Sequence, residues 1–166
     1  MPPQILILGL GNLLLRDEGV GLRALERLTT SYRLPAEVET MDGGTLGLYL
    51  LPYLEGVTDL LIIDCVQTDQ PPGALVRLEG DAIPAALVLK MSAHQIGLQE
   101  LLAVSRLQGT LPGRVVVWGM GPAAIEPGLD FSPAVEAQLD PLVRAVAQEL
   151  RDWGVAVEAV SSWRVS

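Results

Sequence analysis

Cysteine, histidine and lysine are nearly missing from this sequence of 166 residues. Cys65 is its only cysteine, so neither an internal disulfide nor a thiolate cage for zinc can form. His94 is the only histidine and Lys90 the only lysine. The cations are scattered, and 11 Lys and Arg stand against 20 Asp and Glu, for a formal net charge of −9. A nucleic-acid binder carries a basic stripe; none is present, which argues against nucleic acid and anionic membranes as partners. No window approaches the roughly 20 apolar residues of a membrane span. The opening Met1-Pro2-Pro3-Gln4 lacks the basic region of a signal peptide. The expectation is a soluble, cytoplasmic protein.

Apolar residues are plentiful, at 49%, enough for a real core in one domain. Residues 1–166 are expected to form that domain, with 159–166 as a flexible tail. Gln4–Gly9, Glu37–Asp42, Asp59–Asp64, Ala74–Glu79 and Val115–Trp118 read as strands. Helical spacing predicts a helix over Gly19–Leu34, with Val20, Ala24, Leu25, Leu28 and Tyr32 inward. A short helix follows at Leu46–Leu54, disturbed by Pro52. Another covers Ser92–Leu107, with Ile96, Leu101, Val104 and Leu107 inward. In the last helix Ser132 suits the N-cap and Pro133 the first helical position. Gly154 can end that helix, and Pro141 should kink or split it. Apolar strands separated by helices indicate a mostly parallel sheet covered on both faces, a three-layer α/β/α sandwich. Ligands bind such sheets outside the C-terminal strand ends. The loops after Gly9, Asp42, Asp64 and Met120 therefore carry the interest.

The first of these loops, "GLGNLLLRDEGVG" from Gly9 to Gly21, looks at first like a phosphate cradle. A dinucleotide turn needs a third glycine where Leu14 stands. It would also place pyrophosphate beside Asp17 and Glu18, which repel it. Both acids favour a helix start, by about 0.3–1 kcal/mol each, and Asp17 reads as an N-cap. Asp64 ends an otherwise apolar strand at the crevice. "SAHQ", Ser92–Gln95, has the form of a capping box and puts His94 in a first helical turn. There the positive helix end disfavours imidazolium and keeps the ring available to a metal. Glu18, Asp64 and His94 can thus converge. Two carboxylates and an imidazole suit nickel, zinc or manganese, and three protein ligands leave positions open for a substrate.

At these residues the sequence resembles the hydrogenase maturation proteases, which process the large subunits of nickel-iron hydrogenases. The likeness covers nearly the whole chain. It rests on the Gly9–Gly21 loop, "DGGT" at Asp42–Thr45, "LIID" ending in Asp64, "SAHQIGL" at Ser92–Leu98 and "GMGPAAIEP" at Gly119–Pro127. One departure is Cys65, where related sequences often have alanine. The resemblance implies a mixed five-stranded sheet between helices, with Ala74–Glu79 antiparallel. It implies Glu18, Asp64 and His94 as the metal-contacting residues. It also implies an endopeptidase, filed among the aspartyl type, that removes a C-terminal extension from a nickel-loaded large-subunit precursor. The nickel would be carried by the substrate and serve as the recognition mark. In isolation the site could hold another divalent metal such as Zn or Cd.

The cutting step stays open at this level. Nickel could polarise the scissile carbonyl or activate water. Alternatively Asp42, before Gly43-Gly44, acts as general base or is only a turn residue. A Cys65–His94 thiol hydrolase is a weaker reading, because alternation along a strand turns Cys65 away from Asp64. A non-catalytic nickel-dependent assembly factor or chaperone would use the same ligands. The protein is expected to act as a monomer.

Overall fold

The computed structural model describes residues 4–83 and 93–160; the side chains of residues 93–96 fall outside that description. β1 (Ile5–Leu10), β3 (Val38–Gly44), β4 (Asp59–Cys65) and β6 (Arg114–Met120) lie parallel, and β5 (Leu75–Glu79) pairs antiparallel with β6. They form one five-stranded sheet in the order β3-β1-β4-β6-β5. This is the mixed, mostly parallel sheet expected, with its antiparallel strand at the edge. The side chains of β1 and β4 are buried on both faces, which is why these strands read as continuous apolar runs.

Strand alternation sorts the core into two halves. Ile5, Ile7, Leu61 and Ile63 pack with Val20, Ala24 and Leu28 of α1 (Val20–Ser31), and with Leu142 and Val146 of α3 (Pro133–Asp152). Leu6, Leu8, Leu60 and Ile62 face the other way. They meet Leu98 and Leu101 of α2 (Ala93–Gln108), and Leu50 and Leu54 of a 3-10 segment at Gly47–Leu54. That segment takes the tighter winding around Pro52, which has no N–H for a helical bond.

Several local expectations change. The first helix stops at Ser31, because Tyr32–Arg33 leave it as strand β2 and pair with β7 (Glu158–Ala159). Tail residues 159 and 160 are thereby held, Val160 also donating to the Ser31 carbonyl at 2.8 Å; residues 161–166 lie outside the described ones. Pro141 does not split α3, which runs unbroken for 20 residues. Gly154, with φ +86, follows its end as expected. On α2 the buried face is Leu98, Leu101, Leu102 and Ser105, and Leu107 is 86% exposed. Steps of three from Leu101 drift off a face whose period is 3.6. The proposed capping box at Ser92 begins outside the described residues.

Candidate active site

The glycine loop is shaped to let the chain return on itself. Gly11 has φ +135, and a Cβ there would collide with the Glu18 carbonyl oxygen. Without one, the Asn12 N–H donates to that oxygen at 3.1 Å. The turn so made is a 3-10 segment, Arg16–Gly19, that delivers Glu18 to the C-terminal end of β4. Gly21 continues the approach. A side chain there would run into the carbonyl oxygens of Leu10 and Ile63, so α1 starts in direct contact with β1 and β4. The glycines serve close backbone packing around Glu18, and the phosphate reading finds no use.

Asp17 is not a helix N-cap. It is fully buried and reaches across to the loop after β6. Its Oδ2 accepts from the Ala123 and Ala124 N–H groups at 2.9 and 2.8 Å and from Ser132 Oγ at 2.7 Å. Its Oδ1 accepts from the Ser132 N–H at 2.8 Å. Burial alone would raise the Asp17 pKa, but the donors from Ser132, Ala124 and Ala123 outweigh it and hold the carboxyl below its ordinary value. Ser132 does occupy the N-cap position of α3, followed by Pro133. Its hydroxyl is spent on Asp17 and makes no capping bond. Arg16, at φ +49, adds a second tie. Its guanidinium donates to the Asp130 carbonyl at 2.9 Å and to Glu126 Oε1 at 2.6 Å.

Glu18 is 8% exposed and Asp64 fully buried. Asp64 follows Leu60 and Ile62 in alternation and so projects from the α2 face of β4. Its Oδ1 accepts the Cys65 N–H at 2.7 Å. Cys65 points to the opposite face, into the core beneath α1 and α3. Its thiol pKa is driven far up, first by burial, then by the negative fields of Asp64, Glu18 and Asp17. A thiol so held remains protonated and is no nucleophile.

His94 lies in the first turn of α2; its side chain is outside the described residues. Gly47 and Gly97 pass so closely that a Cβ on either would sit 3.1 Å from the other's Cα. The α2 N-terminus therefore lies over the loop after β3, on the face from which Asp64 projects. Among the described residues no three His, Cys, Asp or Glu side chains form a metal-binding group by themselves.

Asp42 is exposed on the other face. It is in register with Gly9, which is itself in register with Ile63, so it points toward α1. There it lines a cavity of about 220 Å³ with Leu13, Leu22, Leu25 and Glu26. Sequence reasoning missed the roles of Arg16, Asp17 and Ser132. The adjacent Asp17-Glu18 pair hinted that the two acids differ, but Asp17's partners are over 100 positions away in the chain.

A mostly parallel sheet with buried acids at the C-terminal end of a central strand and in the loop against it defines the class: an α/β protein with its candidate site at the C-terminal strand ends. Comparison with known proteins narrows this. The sequence pattern of the hydrogenase maturation protease family matches residues 22–149. The hydrogenase expression/formation protein HupD of Rhodobacter capsulatus is 42% identical over 158 residues, covering 94% of this chain and 75% of that protein. The structure of the hydrogenase maturating endopeptidase HybD from Escherichia coli superposes with a TM-score of 0.90 at 37% identity, covering 94% of this chain and 97% of that one. The [NiFe] hydrogenase maturation protease HybD from Thermococcus kodakarensis gives a TM-score of 0.74 at 28% identity, covering 89% and 98%. The chain belongs to the hydrogenase maturation protease family and is a peptidase. No helix among the described residues is long and apolar enough to cross a membrane.

Proposed function

We propose that this protein removes the C-terminal extension of a nickel-loaded [NiFe] hydrogenase large-subunit precursor, and that Glu18, Asp64 and His94 read the nickel in the substrate. The observation that supports the reading is that two buried carboxylates, Glu18 and Asp64, belong to elements in contact with each other, the Arg16–Gly19 turn and β4; His94, in the first turn of α2, is the third proposed ligand. Oxygen and imidazole donors suit nickel, and also zinc or cadmium supplied to the isolated protein. The nickel is part of the substrate, and the protein contributes the ligands that complete its shell.

In the cleavage step the metal would supply Lewis acidity toward the scissile carbonyl or its attacking water. Glu18 and Asp64, held by short backbone ties, orient the tail through that contact. Asp42 is the proposed general base. Its exposed carboxylate stands at the same end of the sheet but on the α1 face, so the tail would have to reach that face to meet it. Cys65 takes no part. The protein would work in the cytoplasm as a monomer, with neither nucleic acid nor membrane involved.

Glu18→Gln tests the reading, because it keeps the shape and removes the charge. The variant should fold, yet fail to capture or shorten nickel-loaded precursor in a pull-down followed by mass spectrometry. His94→Ala should weaken both steps. Efficient cleavage of a nickel-free precursor by the wild type would refute the role given to the metal.

A further inference from the structure

The Asp17 carboxylate has more donors than a helix start calls for. It sits one residue before Glu18 and collects four hydrogen bonds of 2.7–2.9 Å, all from the segment after β6. The backbone repeats the connection. The Asp17 N–H donates to the Ala124 carbonyl at 3.0 Å, the Arg16 N–H to the Gly128 carbonyl at 3.0 Å, and the Gly128 N–H to the Leu14 carbonyl at 2.9 Å. On the far side of Glu18 the chain is pinned again, by Asn12 N–H on the Glu18 carbonyl. Glu18 is thus carried on a peptide segment fastened at both ends.

We propose that Asp17 is a positioning residue for Glu18: its carboxylate bolts the Arg16–Gly19 turn to the Ala123–Ser132 loop and so sets where the Glu18 carboxylate meets the metal. The proposal rests on Glu18 being a metal ligand. A carboxylate is needed because only two oxygens with several lone pairs accept four donors at once. Asparagine would turn an N–H toward them. Partners that orient a ligand in this way typically change metal affinity by about 10–100-fold when removed. The loop after β6 becomes part of the recognition machinery without touching the metal.

The test is a double-mutant cycle read by calorimetric titration of the full-length protein with Ni²⁺ alone. Asp17→Asn should weaken Ni²⁺ binding about 10–100-fold in the wild-type background. In the Glu18→Gln background the same change should cost less than about twofold, because the group it positions has already been altered. Circular dichroism verifies that the variants are folded. Should Asp17→Asn not fold, Ser132→Ala replaces it. That change removes one of the four bonds, and it should give a smaller loss in the wild-type background only. An equal loss in both backgrounds would mean that Asp17 merely stabilises the fold, and would overturn the proposal. Unchanged affinity on Asp17→Asn or Ser132→Ala in the wild-type background would overturn it as well. If Glu18→Gln itself left Ni²⁺ affinity unchanged, the ligand assignment would fail first and the positioning role with it. That outcome differs from a normal Glu18→Gln effect without coupling.

Discussion

Glu149 offers the sharpest test of how the site's scaffold is held. It lies on α3, 6% exposed, and gathers three partners from different elements. Arg77 of β5 donates to it twice, through Nε at 2.6 Å and Nη2 at 3.1 Å. The indole N–H of Trp118, on β6, donates at 2.8 Å and that of Trp153 at 2.9 Å. The carboxylate therefore ties the edge strand, its neighbour and the end of α3 together. Consider Glu149→Gln. One oxygen can still accept, but the amide N–H₂ faces donors. At least one charge-assisted bond to an indole is lost, worth about 1.5–3 kcal/mol. The Arg77 share is discounted, since its side chain is 38% exposed and water takes over its donors. For a chain of this size the loss amounts to roughly 3–12 °C in Tm. The pH dependence has a definite sign. Hydrogen bonds from Arg77, Trp118 and Trp153 outweigh burial and hold the Glu149 pKa below its ordinary value. The stabilisation is fully present above the unfolded-state pKa, about 4.3, and fades as pH falls through the lower folded value. Calorimetry of both proteins should show the Tm gap at pH 7 narrowing below about pH 4. A gap near zero at pH 7, or one that stays constant down to pH 3, would refute the account.

Three further outcomes are expected. Cys65→Ala should leave precursor processing near the wild-type rate. The wild-type thiol should resist iodoacetamide at pH 8 until the protein is unfolded, since burial and three carboxylates keep it protonated; rapid alkylation of folded protein would contradict this. Gly21→Ala would press a methyl group on two carbonyl oxygens of the sheet, so a loss of about 3 kcal/mol or more is expected in urea unfolding; a shift under 0.5 kcal/mol would show that α1 can slide away. Asp42→Asn should stop cleavage in single-turnover assays while leaving nickel-dependent capture intact; processing at the wild-type rate would return Asp42 to a turn residue.

The sandwich was legible because its signals are local. Runs such as Ile5–Leu8 and Leu60–Ile63 are short, rich in isoleucine and leucine and bounded by turn residues, which fits strands buried on both faces, and the 3.6-residue stripes of α1 and α3 declare which side of each helix goes inward. The placing of Glu18 and Asp64 near C-terminal strand ends was legible for the same reason, Glu18 in the loop that follows β1 and Asp64 at the end of β4. Opposite facing of Asp64 and Cys65 followed from alternation alone. What depended on distant chain was settled only in three dimensions. Ser31 ends α1 because Tyr32 pairs with Ala159, a partner no local pattern announces. Asp17 looks like a helix cap in sequence, and Ser132 does too. Each supplies what the other lacks, an acceptor and two donors, and folding brings them within 2.8 Å. Asp42 reads as a neighbour of the other acids, yet the parallel register turns it to the α1 face. Local periodicity reports which groups must leave water; only the tertiary contacts decide which buried polar groups satisfy one another.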